Sequence, residues 1–129
     1  MIMRAMAIGF VLWLINAAIF RFAGQYFFLP GVAPPILLFG IVAVFGVAIT
    51  FAVLKLMREA PGDEGEAATA LAFPSLLLNA LLTHEFAMIF PNLDAGLDGV
   101  FGGLAMIYAA SMTFTGLLMT RLAPRDERV

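Results

Sequence analysis

Four long apolar runs divide this chain, and most of its polar residues fall between them. The first run extends from about Ala5 to Phe28 and is interrupted only by Asn16, Arg21 and Gln25. The second, about Pro35 to Leu56, carries no charge before Lys55. The third, about Ala67 to Phe90, contains Asn79, His84 and Glu85, and the fourth, about Leu97 to Leu122, is charged only at Arg121. A bilayer core of about 30 Å needs about 20 apolar residues in helical form, so each run is long enough to cross it. The pattern predicts an all-α integral membrane four-helix bundle, with helices over about 5–28, 35–56, 67–90 and 97–122. Residues 1–129 read as a single transmembrane domain that ends in a short cytoplasmic tail at 123–129.

The connections support this division. "LPGVAPP" (29–35), "APGDEGE" (60–66) and "PNLDAG" (91–96) are rich in proline and glycine. Proline lacks an N–H donor and glycine reaches positive φ, so both stop helices. Pro35 suits the first turn of the second helix, and Asp98 suits the start of the fourth. Pro74 lies about two turns into the third run and is compatible with a kink or with a later helix start. No repeat of 20–50 residues is visible.

Composition agrees with a lipid solvent. Hydrophobic residues make up 63% and charged residues 12%, against about 45–50% and 25% in soluble domains. The absence of cysteine excludes disulfides, thiolate metal sites and a cysteine nucleophile. A net charge of −2 gives no reason to expect nucleic acid as a partner.

Positive charge also sets an orientation. Of the seven lysines and arginines, Arg4, Lys55, Arg58, Arg121, Arg125 and Arg128 fall at the two termini and in the middle loop, and Arg21 alone falls towards the other side. Under the positive-inside rule both termini face the cytoplasm. The expected location is a bacterial cytoplasmic (inner) membrane, crossed several times. Arg4 and the apolar first run loosely resemble a signal peptide, but no small-residue cleavage site follows, so the first helix is expected to be retained.

Ionisable residues inside a span are costly and suggest a site. Arg21 in the first helix and His84-Glu85 in the third lie at similar depth, and Asn16 and Asn79 each stand five residues earlier. Pairing is the simplest expectation: Glu85 facing Arg21, His84 flanking it, and Asn16 hydrogen-bonded to Asn79 across a helix interface. Tyr108 sits too deep for an interfacial belt and requires a polar partner. The candidate polar site is therefore Arg21, His84, Glu85, Asn16, Asn79 and Tyr108. Gly99 and Gly103 form a G-x-x-x-G spacing, a weak sign of close helix packing. A lone membrane histidine can ligate haem or chlorophyll, but there is no second histidine and no attachment motif, so neither metal nor cofactor is expected. G-x-S-x-G, H-E-x-x-H and phosphate-loop motifs are all absent.

Three short stretches, "RFAGQYFFLPG" (21–31), "AFPSLLLNALL" (72–82) and "IFPN" (89–92), together with a last helix rich in glycine and hydroxyls, resemble a family of small uncharacterised bacterial four-transmembrane-helix proteins of unknown function. The resemblance implies fold and location, and places Arg21, Pro74, Asn79 and Phe90-Pro91-Asn92 at motif positions. It also implies an acidic residue near the position of Asn79, so this chain departs there and loses support for a proton-coupled role. The expected function is a non-enzymatic accessory or interaction subunit in the bilayer. The alternative is a small transporter or exporter with a polar site around Glu85, Asn79 and Arg21. Beyond the lipid bilayer, the sequence leaves open a homo-oligomer or another membrane protein as partner.

Overall fold

A computed structural model describes residues 1–26, 35–58, 60 and 62–122. The 123–129 tail, Phe27 and Phe28 at the end of the first run, and most of the first connection lie outside the described residues. Among the described residues there are five α-helices: α1 (Ile2–Ala23), α2 (Pro35–Met57), α3 (Glu64–His84), the short α4 (Phe86–Ile89) and α5 (Asp98–Leu122). Turns of 3-10 helix follow α1 at Gly24–Tyr26 and precede α5 at Ala95–Leu97. Among the described residues there is no strand, and four helices are long and apolar enough to cross a membrane.

The helices line up in space as α1, α3, α5, α2. Half of the apolar window of α3 and 44% of that of α5 is buried, against 11% for α1 and for α2. Composition explains this order. α3 presents small residues inward (Ala67, Ala68, Ala72 and Ser75) and takes neighbours on two sides. α1 and α2 are apolar all round and leave Phe22, Ile36 and Val44 mostly exposed, as a helix surrounded by lipid does.

Three interfaces rest on glycines. A side chain at Gly9 would collide with the Leu71 carbonyl of α3, one at Gly116 with Ala68, and one at Gly46 with Ser111. Without a driving force from water, close backbone approach and dispersion hold membrane helices together. The G-x-x-x-G spacing contributes less: Gly103 meets the Phe39 ring, but Gly99 faces open space.

The bundle is closed at the end that carries the start of α1 and the end of α2. There Arg4 Nη2 donates to the Met57 carbonyl at 2.8 Å, where a cation also suits the negative end of α2. Ala5 packs with Leu54 and Met57. The N–H of buried Gly65, in the first turn of α3, donates to Thr120 Oγ1 of α5 at 2.8 Å, supplying a cap that Asp63 does not.

At the far end α3 stops at Glu85, whose φ of −101° and ψ of 29° break the helix. The break turns Phe86 and Phe90 inward against Phe20 and Phe101. Asn92 then reaches back to α1: its amide donates to the Phe20 carbonyl at 3.0 Å and to Gln25 Oε1 at 2.8 Å. Asp98 Oδ1 accepts from Gly99 N–H at 2.8 Å. Pro74 neither delays nor ends α3, which runs unbroken from Glu64 through it.

Candidate functional site

α1 and α2 are joined by the Arg4–Met57 bond at one end, and further along the bundle a cleft lies between them. Its volume is about 350 Å³. One wall is the α1 segment Asn16–Phe20, and the other is formed by Leu38, Ile41, Val42 and Phe45 of α2. Asn79 of α3 and Phe101, Leu104, Ala105 and Tyr108 of α5 make the floor. Ile19, Ile41 and Phe45 are about half exposed, so the mouth lies on the perimeter of the bundle, where lipid would be. The stripe Ala5, Gly9, Leu12, Asn16 follows the helical repeat and turns Asn16 inward.

Three polar side chains meet in this apolar space. Trp13 Nε1 donates to Asn79 Oδ1 at 2.9 Å. An indole nitrogen only donates, so the atom facing it must be the amide oxygen, which fixes the orientation of Asn79. The NH2 of Asn79 then has no protein partner among the described residues. Tyr108 is 7% exposed, and its hydroxyl is fully buried without a hydrogen bond of good geometry. The Asn16 amide lies alongside it. Thr50 Oγ1 is another unpaired buried hydroxyl, but Thr50 does not line the cleft.

The six residues singled out in the sequence therefore divide. Asn16, Asn79 and Tyr108 converge on the cleft. Arg21, His84 and Glu85 do not. Arg21 is exposed, and its guanidinium lies 5.6 Å from the Phe22 ring centre. His84 and Glu85 contact each other at 3.4 Å, with their side chains 81% and 45% exposed. The expected Arg21–Glu85 ion pair is not made among the described residues. Similar depth did not bring them together because Phe20, not Arg21, holds the inward face of α1, and because the helix break at Glu85 redirects the chain. The expected Asn16–Asn79 bond is also replaced, since Trp13 occupies the Asn79 oxygen.

Trp13 was the residue missed. The signal for it was available: an indole N–H deep in an apolar span requires an acceptor, and Trp13 lies one turn before Asn16 on the same face. Asn92 was likewise legible only as part of a turn motif, although it ties α1 to the α4–α5 connection.

Fold and site together define a multi-pass helical membrane protein with a cleft inside its apolar region. The chain belongs to a family of unknown function (DUF5367), matched over residues 27–123. The match covers α2 to α5, and thus Asn79 and Tyr108, while Trp13 and Asn16 of α1 lie before it. No curated protein and no solved structure matches the chain.

Proposed function

We propose that this protein is a non-enzymatic membrane binding protein that holds a small lipophilic molecule in the cleft between α1 and α2, entered sideways from the bilayer. The observation that carries this reading is the cleft itself, an apolar space of about 350 Å³ with three polar groups converging in it. Binding sites for small molecules have this size and this mixture of lining. A partner helix, about 10 Å across with its side chains, is too wide for such a space. Catalysis is not favoured, because neither carboxylate nor histidine reaches the cleft among the described residues. A transporter built on Glu85 loses support for the same reason.

The orientation belongs to the same proposal. With six of seven basic residues on one side, both termini face the cytoplasm of a bacterial inner membrane. The mouth of the cleft then lies in the outer half of the bilayer. Reporter fusions at each terminus test this, and a terminus reporting from outside overturns it.

The test of function compares wild type with Ala105→Phe, which fills the cleft floor. Both proteins are purified from membranes and their bound small molecules extracted. Wild type is expected to retain a lipophile in near-stoichiometric amount, and the variant to lose it while unfolding at a similar temperature. Identical extracts from two folded proteins would overturn the reading.

A further inference from the structure

The cleft is selective in its hydrogen bonding. Among the described residues, none of those lining it carries a carboxylate, ammonium, guanidinium or imidazole. A charged ligand would therefore enter without a counter-ion, at a cost the lining does not offset. The ligand is neutral.

The lining also distinguishes donors from acceptors. The carbonyl oxygen of Asn79 is already committed to the indole of Trp13, so this residue offers the cleft only its NH2. Tyr108 adds a buried hydroxyl that lies beside the Asn16 amide and makes no hydrogen bond of good geometry among the described residues, and a phenol is a good donor. Asn16, beside Tyr108, can turn either edge of its amide. A donor of fixed sense, the Asn79 NH2, and a hydroxyl able to donate thus meet in a largely hydrocarbon space.

An unpaired buried polar group carries a desolvation cost, and a ligand that pairs with it recovers that cost. A pure hydrocarbon leaves Tyr108 and Asn79 unpaired, whereas a carbonyl oxygen satisfies both. We infer that the cleft takes a neutral lipophile bearing a hydrogen-bond acceptor, a ketone, ester or quinone-type carbonyl, with its oxygen between Tyr108 and Asn79 and its hydrocarbon part against α2. This inference rests on the binding role proposed above and adds the chemistry of the ligand.

Trp13 is the only tryptophan of the chain and sits against the cleft floor through Asn79, so its fluorescence reports occupancy. The protein is reconstituted in phosphatidylcholine vesicles and titrated with two brominated quenchers of equal length, 10-bromodecyl methyl ketone and 1-bromododecane. Quenching is compared at equal mole fraction in the membrane. In wild type the ketone is expected to act at about three- to tenfold lower concentration, the range that a hydrogen bond confers. In Tyr108→Phe, which removes a hydroxyl without a well-formed hydrogen bond among the described residues, the ratio should fall towards one, with unchanged Trp13 emission showing that the fold is retained. Ala105→Phe should remove the specific quenching by both probes. Equal quenching by the two probes in wild type, abolished by Ala105→Phe, would overturn the acceptor inference and leave the binding role standing. Quenching that is equal and indifferent to Ala105→Phe would overturn both. A ketone preference that survives in Tyr108→Phe would overturn the assignment to Tyr108.

Discussion

The indole of Trp13 and the amide of Asn79, 66 positions apart in sequence, form a 2.9 Å hydrogen bond between α1 and α3. In lipid no water replaces such a bond. Asn79→Leu leaves the indole N–H without an acceptor and should cost about 0.6–2 kcal/mol of stability. Trp13 emission should shift to the blue as the bond is lost. Unchanged stability and spectrum would show that the bond does not form.

Tyr108 stands in the opposite condition, since its hydroxyl is buried and, beside the Asn16 amide, makes no hydrogen bond of good geometry among the described residues. Tyr108→Phe should leave thermal stability in detergent within about 0.5 kcal/mol of wild type, or raise it, because only an unsatisfied polar group is lost. A marked destabilisation would reveal a partner for the hydroxyl inside the protein.

The glycines differ in what they face. A Cβ at Gly9 would strike the backbone of α3, so Gly9→Ala should cost about 1–3 kcal/mol by forcing α1 away. Gly40 faces open space, and Gly40→Ala should be neutral or favourable by up to about 1 kcal/mol, the difference in helix propensity. Denaturant or thermal unfolding of the two variants separates the cases.

Asn92 offers a sharper comparison. Its two bonds to Phe20 and Gln25 both use the amide N–H groups. Asn92→Asp keeps the shape but loses those donors, so it should destabilise about as much as Asn92→Ala, by roughly 1–2 kcal/mol. Because the Phe20 carbonyl only accepts, the amide orientation is fixed, and full stability in Asn92→Asp would show that the bond to Phe20 does not form.

Arg21 and Glu85 should behave as strangers. Arg21→Met and Glu85→Gln are expected to add within about 0.5 kcal/mol when combined, as independent sites do. A double variant that recovers stability lost in the singles would require an ion pair between them.

The fold was readable because lipid imposes a simple rule: a helix that crosses must be apolar over its length, and runs such as 35–56 satisfy it plainly. Side-chain partners were less readable. Depth in the membrane follows from counting along the chain, and it set Asn79 level with Tyr108. The direction in which a residue points depends on which helix lies beside it, and the order α1, α3, α5, α2 is written in the close contacts of Gly9, Gly46 and Gly116 rather than in any hydrophobic stripe. Arg21 and Glu85 share a level and still face away from each other. The break at Glu85 was also hidden, since no proline or glycine occupies that position. Trp13 was overlooked because its bulk reads as apolar filler, although its N–H demands an acceptor.

The clasp between Arg4 and Met57 makes the opposite walls of the cleft resemble two arms joined at one end. Ile41, at the mouth, lies about 24 Å along α2 from that joint, so a tilt of only about 5° would move it by roughly 2 Å. The width of the entrance thus depends on the angle of α2 as well as on the side chains at the mouth. A bilayer that changes thickness, and so re-tilts its outermost helices, would alter which molecules pass between α1 and α2.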